Sequence, residues 1–473
     1  MTAAVNLGID VACRAKHRAS LADQTGQMLW TARGFRTTPD ELEELWDGIP
    51  DGAEVTVIME PTRNAWVPLA AWLRARGARI VVVPPEQSAD LRDYYSKHTK
   101  NDRLDSRVLA KLPLLHPEGL TELDDALGPA DALKRAVRRR SDLVERRTGC
   151  YLRLDALVEL LGPAWADVLG TGNDIGVTAL KVLERYADPR KLQDLGLEQL
   201  TEFLIKHSRG HWRQDKAEAL LDAAAQTLAL WAAGGLDFDE LAEDIASVVA
   251  TIRTLTDQID RLEERIADLY ETTDPGGIFR SGPGLGLTLA AGILGRLGDP
   301  NRFANLAGVR SFTGLVPEVD QSGNAEAHGR PTKAGDPGLR HVLYMAADKA
   351  RRVDPTLAAK YYRLVAERGK HHTSALCHLA PQLAARLAAC WRNGERYVIR
   401  DTDGRIIDET EGREICKSDW TVPAEVRRRN RKHRRAKRLK QRTGRRDQKS
   451  TETVAPASGP STLDPTDEQE KAA

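Results

Sequence analysis

An α/β domain followed by two mostly helical units is the fold class that this sequence predicts. Three observations carry the expectation. In the N-terminal quarter, short apolar runs alternate with helical patterns, as strands and helices in turn would. From about residue 123 to 273 the apolar positions change to a three-four spacing with almost no strand-like run. Beyond 276 a Gly-rich turn opens a further helical unit. A chain of 473 residues also exceeds what one hydrophobic core usually holds.

Val5-Asn6-Leu7-Gly8-Ile9-Asp10 reads as a buried strand that ends in an acid. Strands around 18–22 and 28–30 follow, separated by a turn at Gly26. A helix over 39–46 leads to Val55-Thr56-Val57-Ile58-Met59-Glu60, a second apolar strand closed by an acid. Residues 66–76 are helical, and 78–83 form a strand stopped by Pro84-Pro85. The alternation predicts a largely parallel central sheet, flanked by helices at 87–95 and 103–112.

The middle of the chain holds a heptad run: Phe238, Leu241, Ile245, Val248, Ile252, Leu255, Ile259, Leu262, Ile266 and Leu269. Such a seam calls for a helical partner, either in its own domain or in a second copy of the chain. The third unit starts at Ser281-Gly282-Pro283-Gly284-Leu285-Gly286 and continues with a helix at 287–297. A Gly-rich span follows at 313–338, then helices at 339–367 and 375–393 and a strand-like Arg396-Tyr397-Val398-Ile399. These breaks predict units at 1–122, 123–275 and 276–405. Residues 406–473 would form a basic arm, densest at 427–446, and a disordered Pro/Ser/Thr/Glu-rich tail.

Hydrophobic residues make up 41% and charged ones 29%, with a formal net charge of +1, so bulk charge announces no polyanionic partner and only local blocks can. The cysteines Cys13, Cys150, Cys377, Cys390 and Cys416 are dispersed without a CxxC pair. That argues against a disulfide framework and a zinc knuckle and for a reducing compartment. No apolar run is long enough to cross a bilayer and no basic leader is evident, so the cytoplasm is expected and a membrane partner is not.

The chemistry concentrates in acids. Asp10 and Glu60 end two strands, and ligands of parallel α/β sheets gather at that edge. In Lys97-His98-Thr99-Lys100-Asn101-Asp102-Arg103-Leu104-Asp105, two more carboxylates stand three apart, hence on one face of a helix, among cations. Singly, each acid has an ordinary use: Asp10 a turn cap, Glu60 a solvated residue, Asp102 an N-cap and Asp105 a first-turn acid. Together, four carboxylates would repel unless some were protonated or held cations, and hard oxygen donors suit Mg²⁺ or Mn²⁺. Two such ions can clamp both oxygens of a phosphoryl transfer.

Gly8-Ile9-Asp10-Val11, Met59-Glu60-Pro61-Thr62, Val83-Pro84-Pro85 and Lys100-Asn101-Asp102-Arg103-Leu104-Asp105-Ser106 resemble the N-terminal domain of the DEDD transposases. These are insertion-sequence recombinases related to the pilin-gene invertase Piv, with a RuvC-like (ribonuclease-H-like) fold. The resemblance extends to about residue 400. It implies Asp10, Glu60, Asp102 and Asp105 as a metal-binding tetrad, with Lys97, Lys100 and Arg103 beside the nucleic acid. Cys13 stands where the family usually has a basic residue, and Arg63 where a glycine is common.

The resemblance also reaches the third unit. Gly284 and Gly286 resemble a helix-hairpin-helix turn, in which backbone N–H groups approach a phosphate; a plain tight turn is the ordinary reading. In Leu315-Val316-Pro317-Glu318-Val319-Asp320-Gln321-Ser322-Gly323, Ser322 matches the family's serine nucleophile, and without the resemblance it is a loop serine. Arg330, Lys333 and Arg340 would hold phosphates near it. What is implied is a bacterial, nucleoid-associated DNA recombinase that works as a dimer or tetramer and is guided by a structured noncoding bridge RNA. A RuvC-like endonuclease using water, with Ser322 idle, and a non-catalytic nucleic-acid-binding protein are the alternatives.

Overall fold

The computed structural model describes residues 3–83, 102–115, 120, 122, 131–322, 325–333 and 335–432, without the side chains of 102–105, 318–322 and 325–330. Strands β1 (Ala4–Asp10), β2 (His17–Asp23) and β3 (Met28–Phe35) form an antiparallel meander. On the other side of β1, β4 (Glu54–Met59) and β5 (Arg79–Val82) add in parallel, giving the order β3-β2-β1-β4-β5. The sheet is therefore mixed, not largely parallel. The reason is connection length: the short links after β1 and β2 can only reverse the chain, whereas α1 (Pro39–Asp47) and α2 (Trp66–Arg74) supply the crossovers that parallel pairing needs.

Both faces of this sheet are covered. Leu7, Ile9, Val57 and Ile80 pack on Leu42 and Leu45 of α1 and on Trp66, Leu69 and Leu73 of α2. On the opposite face α3 (Asp102–Leu115) lays Leu109 and Leu112 against Ile58, Val81 and Val83. The helix predicted at 87–95 lies outside the described residues.

Two long helices, α4 (Ala132–Leu161) and α9 (Phe238–Thr273), pack along each other and join two cores. One core is built around fully buried Trp165 with α5 (Pro163–Leu169), α6 (Val177–Tyr186), α7 (Pro189–Ser208) and α8 (Gln214–Leu230). The other takes Leu133–Leu143 of α4 and Ile259–Tyr270 of α9 into the third unit. There they meet α10 (Leu287–Leu297), α11 (Leu306–Phe312), α12 (Pro337–Ala350), α13 (Pro355–Tyr362) and α14 (His372–Asn393). A last helix, α15 (Glu409–Ser418), packs on α13.

The heptad seam of α9 thus finds its partner inside the chain, on α4. Its buried set slips to Val249 and Tyr270 in place of Val248 and Leu269. A straight helix of 3.6 residues per turn drifts in that sense against a 3.5-residue repeat. Other expectations also change in detail. The helix expected over 339–367 breaks at Pro355, where Asp354 caps α13. The stretch Arg396–Ile399 forms no strand, only an isolated bridge between Arg400 and Ile406. The Gly-rich span instead holds an antiparallel hairpin, β6 (Pro317–Ser322) and β7 (Ala325–Pro331). Among the described residues no helix is long and apolar enough to cross a membrane.

Candidate active site

The parallel register pairs Ile9 with Met59, so one step further Asp10 and Glu60 stand level at the carboxyl edge of β1 and β4. Both are half-buried. Each strand is apolar up to that point because its side chains face the packed layers, and turns polar where the edge opens to solvent.

Helix α3 runs over β1 in the opposite direction. Its Leu114 side chain lies 3.0 Å from where a Cβ on Gly26 would be, in the turn beside the start of β1. Further toward its N-terminus, Ser106 O and Ala110 N sit only 2.2 Å from where a Cβ on Gly8 would be. Residues 102–105 therefore point along the sheet toward the edge that carries Asp10 and Glu60. The close approach is possible because Gly8 has no side chain. It is fixed by Ser106, fully buried, whose hydroxyl meets Ser20 Oγ at 2.9 Å, while Ser20 Oγ accepts Ala32 N–H at 3.0 Å.

Asp102 and Asp105 thus belong to the first turn of a helix directed at the acidic edge, although their side chains, like that of Arg103, are outside the described part. Lys97 and Lys100 lie outside the described residues altogether. Among the described residues no three His, Cys, Asp or Glu side chains cluster to hold a metal ion. Just past Glu60, Arg63 adopts φ 49°, a left-handed conformation that glycine takes without strain, and its carbonyl accepts Trp66 Nε1 at 3.1 Å.

In the third unit, Ser322 ends β6 and pairs with Ala325, which places it at the tip of the hairpin. The hairpin makes no extensive contact with the five-stranded sheet among the described residues. Arg330 lies on β7, its side chain outside the described part. Lys333 is exposed, holds φ 54° and donates its N–H to Gly314 O at 3.0 Å. Arg340, on α12, reaches back to Gly335 O at 3.1 Å. Gly284 takes φ 66° and gives its N–H to the Glu409 carboxylate at 3.3 Å, and Gly286 is the N-cap of α10.

Sequence reasoning passed over the group that anchors this region. Asp336 caps α12 by accepting Gly338 N–H at 2.7 Å, and both of its oxygens lie 2.9 Å from Arg296 Nη1. Arg296 is 8% exposed and also donates to Ser141 Oγ at 2.9 Å, while Arg138 approaches Asp336 at 3.3 Å. Gly338 has no side chain because the Arg296 guanidinium fills that space. The signal was an Asp-Pro-Gly stretch before an apolar helix, which is an N-cap pattern. Burial, the largest single influence, would raise the Asp336 pKa, but the Arg296 charge and hydrogen bond, the Gly338 N–H and the Arg138 charge together outweigh it and hold the carboxyl below its ordinary value. Asp336→Ala, which strands a buried guanidinium, should cost about 3–5 kcal/mol in denaturant unfolding. The stabilisation of a depressed carboxyl is present above its unfolded pKa of about 3.9 and is lost as pH falls through the folded value. The gap between wild type and variant should accordingly be constant near neutrality and close below pH about 4.

Residues 7–163 match the DEDD model of the IS110 type, described as "Transposase". Residues 277–363 match the model described as "Transposase IS116/IS110/IS902 family". The chain is 27% identical over 402 residues to an insertion element IS110 uncharacterized 43.6 kDa protein of Streptomyces coelicolor, spanning 84% of this chain and 96% of that one. It is 26% identical to the IS116 44.8 kDa protein of Streptomyces clavuligerus, over 79% of this chain and 91% of that one. An IS900 42 kDa protein of Mycobacterium paratuberculosis is also 26% identical, over 81% and 94%. The first model covers the sheet with Asp10, Glu60 and α3, which implies a ribonuclease-H-like fold there, and the second covers the hairpin with Ser322. The chain belongs to the DEDD transposases of insertion sequences, of the IS110/IS116 type.

Proposed function

We propose that this chain cuts and rejoins DNA strands of an insertion sequence by transesterification, with the acids of the sheet edge and Ser322 as its two chemical halves. Family membership implies an enzyme that acts on DNA. The observation that best supports the finer reading is the seating of α3 on Gly8, which aims the helix start bearing Asp102 and Asp105 at the edge where Asp10 and Glu60 stand level. Domains of this type typically use a divalent metal. The donor set fits Mg²⁺ or Mn²⁺, since all four side chains offer hard oxygen and none offers sulfur or imidazole. Asp10, Glu60, Asp102 and Asp105 would hold it, and when bound it neutralises charge building up at the scissile phosphate.

Ser322 Oγ would attack phosphorus, forming a phosphoserine ester as the P–O bond to one sugar oxygen breaks. The serine proton goes to a base and the leaving oxygen takes up a proton. Attack by another strand's hydroxyl then restores the phosphodiester and the serine, so bond energy is conserved. In this reading residues 1–122 are the catalytic domain, 123–275 a helical spacer and 276–405 the serine-bearing domain. Arg330, Lys333 and Arg340 would hold phosphates beside the hairpin, Gly286 another at the start of α10, joined by Gly284 once the phosphate displaces the Glu409 carboxylate from its N–H. The resemblance implies Lys97, Lys100 and Arg103 as further contacts to the nucleic acid. A homo-oligomer and a bridge RNA are supported by the resemblance alone. Purified protein, incubated with element-end and target DNA, should yield joined products with Mg²⁺ and none with chelator. Products of hydrolysis only would replace this reading with the endonuclease.

A further inference from the structure

The exposed side of α4 carries arginines that neither the fold nor the candidate site uses. Arg139, Arg146 and Arg153 are all exposed, and none has a hydrogen-bond or ion-pair partner among the described residues. They recur every seven residues, which brings each within roughly 20° of the last around the helix. At 1.5 Å per residue they form a straight row about 21 Å long. Arg135 stands one turn earlier on the same face. Asp142 is the one acid in the row and pairs with neither neighbouring arginine in this structure.

A second, independent observation lies between Arg146 and Arg153. Gly149 is exposed in mid-helix, and a Cβ there would meet nothing within 4 Å. Glycine at such a position costs about 0.5–1 kcal/mol relative to alanine, and no packing in the chain requires it. Bare backbone at the centre of a cationic row leaves room for something to come close.

We propose that the outer face of α4 is a phosphate track, on which the backbone of a nucleic acid lies across Gly149 and is gripped by Arg139, Arg146 and Arg153. The guanidinium fork matches phosphate geometry. The row contains no aromatic or apolar anchor, which the centre of a protein–protein interface needs. The occupant is duplex DNA, the partner that family membership implies, met through its phosphodiester backbone. This rests on the nucleic-acid reading of the whole chain, though not on its catalytic step.

The test is equilibrium binding of the full-length protein to labelled duplex DNA and, separately, to a structured RNA, across a salt series. The triple variant Arg139→Gln, Arg146→Gln, Arg153→Gln should lower the salt slope on the duplex by about one per arginine, about three in all. The triple Arg→Lys variant should restore most of it. Gly149→Gln should weaken binding without changing charge, while raising thermal stability. A slope that falls on the RNA and not on the duplex overturns duplex DNA as the occupant. Unchanged slopes on both, with wild type binding normally, overturn the track and leave the catalytic reading standing. Wild type that binds neither overturns both.

Discussion

Glu60→Gln is expected to reduce strand joining by at least about a thousandfold, because removing a ligand charge from a metal-assisted phosphoryl transfer forfeits several kcal/mol of transition-state stabilisation. The substitution is close to isosteric and the residue is half-buried at a strand end, so the thermal midpoint should move by no more than about 2 °C. Asp10→Asn, level with it across the parallel pair, should behave alike. Under the proposed function the two acids serve one site, so the double variant should be scarcely worse than either single one. Joining assays with a melting control check this; full activity in Glu60→Gln would remove the acidic edge from the chemistry.

Gly8→Ala should be nearly as damaging, for a different reason. The new Cβ would lie 2.2 Å from Ser106 O and from Ala110 N, both backbone atoms that cannot rotate away. Helix α3 must move off the sheet, and with it residues 102–105. Overpacking of this kind costs about 1–3 kcal/mol, and a displacement near 1 Å at a catalytic group can cost about a hundredfold in rate. Gly176→Ala, where a Cβ would meet nothing within 4 Å, is the steric control; it replaces a helix N-cap glycine and should cost up to about 1 kcal/mol while leaving the rate alone. Hydrogen exchange over α3 would show whether the loss follows the helix.

Much of this arrangement was legible in the sequence, and the remainder was hidden for identifiable reasons. Two apolar runs closing on Asp10 and Glu60 announce strand ends, because burial dictates the run and solvent dictates the acid. Alternating strands and helices predict a largely parallel sheet, yet the short turn at Gly26 permits only reversal, which makes β2 and β3 antiparallel and the sheet mixed. Ser322, a loop serine in the ordinary reading, ends a hairpin strand, and Gly323-Asn324 between it and Ala325 is a hairpin signal in the sequence. A heptad seam specifies a partner helix without saying which, and only the packing of α9 on α4 decides it. Gly8, Ser106 and the Arg296–Asp336 pair act between segments far apart in sequence, so no local pattern exposes them. Asp336 was readable as a cap, but the buried guanidinium it neutralises was not.

The most direct measurement is to denature the protein during reaction with end-labelled element DNA and count label that remains attached to the chain. Wild type should carry label, Ser322→Ala should carry none, and Glu60→Gln should carry next to none although its serine is intact. The labelled peptide from wild type should contain Ser322. Label that persists in Ser322→Ala, or wild type that joins strands without ever becoming labelled, would contradict a serine-linked recombinase.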